Sequence, residues 1–354
     1  MSVLDYIRPE IRDLRPYEAA EQVDDTIRLN ANEAPWANAD SRFRRPLNRY
    51  PEVRPIALRG MLAEFYGCPA ECLVVTRGTS EGIDLLIRVF CRAEQDALLT
   101  VVPTFSMYRH YAKVQSARLI ELDTSMQDDF GLDVDRLLDQ CDDSVRLLFL
   151  CSPNNPTGNS IPECDLIRIL EEQPQIAVVV DEAYIEFSAQ PSVVALLDKF
   201  ENLIVLRTLS KALACAGARC GSLLASKAIV DIISAVQAPY ALATPVVESV
   251  ESALLDDGFA KSRRWADEIV SERNALQDSL AQLAIVEKVW PSDANFLLCQ
   301  LRDADAVLAH CTEQGVLLRN FGKELNNCVR ITVGSKSENT RLLQALSDFA
   351  GVGA

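Results

Sequence analysis

The run Leu203-Ile204-Val205-Leu206-Arg207 passes through Thr208-Leu209-Ser210 to Lys211, and Arg219 follows eight residues on. The apolar run reads as a buried strand. Lys211 at its end admits two readings. It is an exposed turn lysine with a surface arginine ahead of it, or it is an amine held to form a Schiff base with a carbonyl cofactor. In the second reading Thr208, Ser210 and Arg219 hold that cofactor's phosphate. An ordinary lysine, with a pKa of about 10.4, must also be desolvated or converted to an imine to act as a base near neutral pH.

The other strand exits decide between them. Leu73-Val74-Val75-Thr76 reads as a strand that runs through Arg77-Gly78-Thr79-Ser80-Glu81-Gly82 into a helix, with Thr79 or Ser80 as its N-cap. Such a turn is either an ordinary capped helix or an anion site built from unpaired backbone N–H groups. Ala97–Val102 leads to Phe105, Val145–Cys151 leads through Ser152-Pro153-Asn154 to Asn155, and Ile176–Val180 ends on Asp181 with Tyr184 after it. Continuous apolar runs alternating with helical stretches predict an α/β fold, a mostly parallel doubly wound sheet. In such sheets ligands bind beyond the carboxyl ends of the strands. Thr79, Phe105, Asn155, Asp181 and Lys211 all fall on that edge, which favours the catalytic reading. Together they match what pyridoxal phosphate requires: an imine-forming lysine, an acid for the ring nitrogen, donors for the phenolic oxygen, a stacking ring and a phosphate cup.

Composition removes other classes. Thirty-five basic against 51 acidic residues leave a net charge of −16, which opposes non-specific nucleic-acid binding. Eleven cysteines form no CxxC pair, and with two histidines, His110 and His310, no zinc site or Ser-His-Asp triad is expected. The cysteines, several inside apolar runs, suit a reducing cytoplasm. No secretory leader and no membrane-length apolar run are apparent, so no membrane partner is expected.

Beyond Ala225 the pattern changes. Helices are expected at 227–237 and 245–283, the latter broken near Asp256-Asp257-Gly258, then short strands at 285–290, 295–300, 316–319 and 329–333 with helices between and after them. Three parts follow: residues 1–50 as an N-terminal arm and part of a small domain, 51–245 as a large cofactor-binding domain, and 246–354 as a small C-terminal α/β domain. The arm has little periodicity but carries apolar and aromatic residues, which argues for packing against something.

These motifs carry a resemblance over nearly the whole length. Arg15-Pro16-Tyr17, Leu29-Asn30-Ala31-Asn32-Glu33, Asn48-Arg49-Tyr50-Pro51, Asn155-Pro156-Thr157-Gly158, Asp181-Glu182-Ala183-Tyr184, Ser210-Lys211 and Arg330-Ile331-Thr332-Val333-Gly334 resemble the fold type I, class II aminotransferases. Within them they are most similar to the histidinol-phosphate branch. The resemblance implies pyridoxal 5'-phosphate as cofactor and transamination of L-histidinol phosphate with 2-oxoglutarate, giving imidazole acetol phosphate and L-glutamate. It implies Lys211 as the Schiff-base lysine and proton carrier, Asp181 on the pyridinium nitrogen, and Asn155 and Tyr184 on the phenolic oxygen. Thr79, Ser80, Thr208, Ser210 and Arg219 would hold the phosphate. Tyr50 would reach the partner's cofactor in a homodimer with shared active sites. Arg330, with Arg319 and Tyr17, would bind the substrate's anionic end. Phe105 departs from the usual stacking tyrosine, keeping the ring but losing a hydroxyl, and Ala218 replaces a larger aliphatic residue. Tyr108 and His110 are left as packing or surface residues. An aromatic or broad-range aminotransferase, a threonine-phosphate decarboxylase-like enzyme and a non-catalytic binding protein on the same fold are the alternatives. The intact Lys211, Asp181 and Arg219 oppose the last.

Overall fold

The computed structural model describes residues 2–22, 26–37, 43–255 and 257–352. Seven strands, β1 (Leu73–Thr76), β2 (Ala97–Val102), β3 (Arg118–Asp123), β4 (Val145–Cys151), β5 (Ala177–Asp181), β6 (Leu203–Thr208) and β7 (Gly221–Ala225), form one sheet. Their order is β1-β7-β6-β5-β4-β2-β3. β7 runs antiparallel to both neighbours and the other pairings are parallel. The central strands are mostly apolar on both alternating sets of positions because both faces are covered. Leu148, Leu150, Val178, Val180 and Val205 enter one core layer. Leu147, Phe149, Ala177, Val179 and Ile204 enter the other. Each fully buried Val, Leu or Ile stabilises the fold by roughly 1.5–3 kcal/mol.

The helix after β1 spans Thr79–Phe90, and its N-cap is Gly78, with no side-chain cap. The expected capping by Thr79 or Ser80 is therefore corrected: both lie inside the first turn. Gly78 takes φ 74° and ψ 171°, a backbone region almost restricted to glycine. A Cβ there would lie 2.9 Å from Arg219 Nη2. The start of the chain also packs on the large sheet, with Val3, Ile7 and Ile11 buried in the second core layer.

A second sheet, β8 (Val286–Val289), β9 (Phe296–Leu301), β10 (Arg319–Asn320) and β11 (Cys328–Thr332), has the order β10-β11-β9-β8. All its pairings are antiparallel. The strand expected at 316–319 is reduced to two residues, since only Arg319 and Asn320 reach the ladder. Helices Thr244–Leu254 and Gly258–Leu280 fit the expected broken helical region; Asp256, named in that break, lies outside the described residues. On β11, Val329 and Ile331 face the helices. Alternation turns Cys328 and Arg330 to the opposite side, toward the large domain. There Cys328 packs with Trp290, Leu298 and Phe130, the last from a large-domain loop.

Candidate active site

A cavity of about 170 Å³ opens at the carboxyl edge of β4, β5 and β6. Every residue expected at the cofactor except Tyr50 lines it, and Cys151, Ala183 and Ala216 complete the wall. The sheet arranges this directly. Cys151 pairs with Asp181 across β4 and β5, and Asp181 with Leu206 across β5 and β6. The strands therefore deliver Asn155, Asp181 and Lys211 at one level.

Asp181 is 2% exposed. Its Oδ2 accepts from the Tyr108 hydroxyl at 2.9 Å and its Oδ1 from the Ala183 N–H at 3.2 Å. Burial raises its pKa to about 6 against the lowering pull of those bonds and of Lys211. Lys211 sits at the mouth of the cavity, with Nζ 5.6 Å from the Tyr184 ring centroid. Its pKa is lowered, first by desolvation and then by the cations of Arg330 and Arg219, while Asp181 opposes them. These influences favour a neutral amine.

The first turn of Thr79–Phe90 presents backbone N–H groups that have no acceptor within the helix, and the helix dipole adds positive potential there. Arg219, itself at φ 51°, donates to the Ala216 carbonyl at 3.1 Å and reaches Ser210 Oγ at 3.5 Å. Thr208 Oγ1 accepts from the Ser210 N–H at 3.2 Å, which fixes the hydroxyl pair. A helix N-terminus, two hydroxyls and a guanidinium make a site for a dianion.

On the opposite side, Asn155 Nδ2 donates to Tyr184 Oη at 3.4 Å, and Asn155 Oδ1 accepts from Arg330 Nη1. Arg330 lies against the faces of Phe296 and Phe321, at 5.2 and 5.5 Å. Its Nε is buried without a protein partner. Burial lowers its pKa, and Arg319 lowers it further. Arg319 stands opposite Arg330 in the β10–β11 register. Two like charges at paired positions repel, an arrangement suited to an anion between them.

Tyr17 and Tyr50, like Arg319 and Arg330, do not line this cavity. The two tyrosines meet on Tyr240 instead: Tyr50 stacks at 4.7 Å and Tyr17 meets it edge-on at 6.0 Å. Both are about half exposed. The motifs around Tyr50 have a structural reason that sequence reading missed. Glu33 accepts from Arg28, Arg49 and the Tyr50 N–H at 2.8, 2.9 and 2.8 Å. Although burial works to raise its pKa, the Tyr50 N–H and the two arginines hold it below the usual carboxylate range. Leu29–Glu33 and Asn48–Pro51 are thus halves of one knot. The bond from Tyr108 to Asp181 was also missed. The signal available was proximity: Tyr108 follows Phe105 across the turn that opens the helix, with its N–H donating to the Phe105 carbonyl at 3.3 Å. His110 is exposed, as a surface residue should be. All eleven cysteines are free thiols. No group of three or more potential metal ligands occurs among the described residues.

The arrangement of lysine, buried acid, amide–phenol pair and anion cup agrees with comparison to known proteins. Residues 22–346 match the family model for aminotransferase class I and II. A histidinol-phosphate aminotransferase of Xylella fastidiosa (strain Temecula1 / ATCC 700964) is 42% identical over 363 residues, covering 100% of this chain and 98% of the relative. Histidinol-phosphate aminotransferase 1 of Haemophilus influenzae (strain 86-028NP) is 39% identical over 353 residues, covering 98% and 99%. The crystal structure of histidinol-phosphate aminotransferase from Sinorhizobium meliloti in complex with pyridoxal-5'-phosphate has the same fold, with a TM-score of 0.77 at 23% identity, covering 87% of this chain and 84% of that one. With a lysine, an acid and an anion cup converging on one cavity, and with relatives matched from end to end, the chain belongs to the class I and II aminotransferases, among the histidinol-phosphate aminotransferases, a family that works with pyridoxal phosphate.

Proposed function

We propose that this enzyme transfers an amino group between L-histidinol phosphate and 2-oxoglutarate, yielding imidazole acetol phosphate and L-glutamate. The donor set fits the cofactor: a lowered-pKa amine, a buried carboxylate, and an anion cup lining the same cavity. When bound, pyridoxal phosphate supplies a carbonyl that condenses with amines and a ring that accepts the electrons left at the substrate's α-carbon. Thr79 and Ser80 N–H groups, Thr208, Ser210 and Arg219 hold its phosphate. Phe105 covers its ring, Asp181 faces the ring nitrogen, and Asn155 and Tyr184 donate to the phenolic oxygen. Lys211 would take the proton from the substrate's α-carbon and return it, from the same side of the ring, at the cofactor's C4′ carbon.

Arg330 carries the substrate reading. A half-buried guanidinium with one unpaired N–H, faced by Arg319, suits both the phosphate of histidinol phosphate and a carboxylate of glutamate. A homodimer with shared sites is part of the proposal. Ile27 and Leu29 are 90% exposed and Trp36 81%, and an apolar arm of this kind is suited to lie on a second copy. There Tyr50 and Tyr17 would serve the partner's cavity. Free thiols throughout, and no helix long and apolar enough to cross a membrane among the described residues, agree with a cytoplasmic enzyme. The small-molecule substrates are the expected partners, and the net charge of −16 opposes non-specific nucleic-acid binding.

The test is a half-reaction panel on the cofactor-loaded enzyme, following the cofactor band with L-histidinol phosphate, L-phenylalanine, L-tyrosine and threonine phosphate. L-Histidinol phosphate should react with the highest kcat/KM. Preference for phenylalanine by orders of magnitude, or release of carbon dioxide from threonine phosphate, would replace this assignment with the aromatic or the decarboxylase reading.

A further inference from the structure

Asp181 ends a strand whose alternation places it on the sheet face of Ala177 and Val179. Helix Met107–Val114 covers that face, and its Tyr108 is fully buried there. The Tyr108 ring stacks on Phe149 at 4.8 Å and receives Phe105 edge-on at 5.8 Å. Its orientation is therefore fixed from both sides. A phenol has one hydrogen to donate, and this one goes to Asp181 Oδ2 at 2.9 Å. The other groups facing Asp181 are Glu182, Lys211, Cys151 and Tyr184, whose phenol is kept neutral by burial. Glu182 is engaged elsewhere, by Ser192, the Val193 N–H and Arg207. Cys151 is a neutral thiol, since burial pushes its pKa up.

We infer that Tyr108 is a positioning residue, whose hydroxyl turns Asp181 toward the cavity and keeps the shared proton on the ring nitrogen of bound pyridoxal phosphate rather than on the carboxylate. The inference rests on the assignment of Asp181 to that nitrogen. A donor to a carboxylate stabilises its charged form. In a buried pair sharing one proton, a carboxylate so stabilised is the weaker base, so the proton stays on nitrogen. Without the donor the carboxylate becomes the stronger base and draws the proton to itself. Phe105, which touches Tyr108 and lines the cavity, joins the surface that covers the ring to the group that sets its charge.

The experiment uses pyridoxal phosphate labelled with ¹⁵N in the ring, bound to the wild-type enzyme, to Tyr108→Phe and to Asp181→Asn. The nitrogen chemical shift separates pyridinium from neutral pyridine. Tyr108→Phe should move the resonance toward pyridine and weaken cofactor binding about tenfold. A parallel measurement needs no cofactor: 3-fluorotyrosine at position 108 is nearly the same shape and a stronger donor. In the cofactor-free chain it should lower the pH at which the Asp181 carboxyl titrates, while Tyr108→Phe should raise it. If Asp181→Asn moves the nitrogen resonance while both changes at position 108 leave the resonance and the titration where they were, Tyr108 only fills space and the inference is wrong. An unmoved resonance in Asp181→Asn removes the assignment of Asp181 itself, and this inference with it.

Discussion

Gly78→Ala separates the contribution of one arginine to cofactor binding from the cost of a strained backbone. Position 78 has φ 74° and ψ 171°, which a non-glycine residue adopts at roughly 1–3 kcal/mol. The backbone has little freedom to relax. The space on its other side is taken by Gly221, whose own Cβ would already meet Gly78 atoms at 2.9 and 3.0 Å. The new methyl would lie 2.9 Å from Arg219 Nη2, so the guanidinium must swing away. A charge-assisted hydrogen bond contributes about 1.5–3 kcal/mol, which corresponds to cofactor binding weaker by about 10- to 100-fold. Urea unfolding of the cofactor-free chain measures the backbone cost, and fluorescence titration with pyridoxal phosphate measures the affinity. The diagnostic arm is the cycle with Arg219→Ala. Once Arg219 is gone, Gly78→Ala should weaken binding little further. Equal losses in the two backgrounds would show that the methyl disturbs the helix N-terminus rather than the arginine, and wild-type affinity in Gly78→Ala would refute the reasoning outright.

Two further expectations follow from the geometry. In the cofactor-free chain Asp181 keeps a proton up to about pH 6, whereas an unfolded aspartate releases it near its ordinary value of about 3.9. Between those values the folded state binds the extra proton, so stability falls as pH rises through the window; Asp181→Asn should be roughly 2–3 kcal/mol more stable than wild type at pH 7 and gain nothing near pH 4, and parallel pH profiles in urea would count against it. Mixing inactive Lys211→Ala with impaired Tyr50→Phe should restore activity, because a mixed dimer then holds one site with both native groups; no recovery after subunit exchange would place Tyr50 in its own chain's site.

Much of the site was legible because the central strands are buried on both faces. Such strands appear as nearly continuous apolar runs, and their ends stand out by contrast: Asp181 after the five apolar residues Ile176–Val180, and Lys211 just past β6. The direction of β7 was not legible, since a doubly buried strand looks the same from either end; the ladder shows it antiparallel to β1 and β6. The cap of Thr79–Phe90 was misplaced because hydroxyl residues usually occupy that position, while here close approach to Gly221 and Arg219 requires glycine. Tyr108 was passed over because a buried aromatic on a helix is ordinarily core, and its acceptor lies 73 residues away. The pairing of Arg319 with Arg330 depends on a two-residue strand, too short to leave a periodic signature.

The contact between Arg330 and Asn155 constrains any redesign of substrate range. A carboxamide is nearly symmetric in shape and opposite in chemistry at its two ends, so a half-turn exchanges a donor for an acceptor. Arg330 claims the oxygen of Asn155, and the NH₂ is thereby left for Tyr184 and the cavity. In the proposed function, the guanidinium that would take the substrate's anion would thus also set the polarity offered to the cofactor's phenolic oxygen. Replacing Arg330 with a neutral side chain to admit uncharged substrates would release the amide to turn over. On the proposed assignment, selectivity in this scaffold would be tuned together with the cofactor's electronics, and a broadened variant would need a second substitution that holds the Asn155 oxygen.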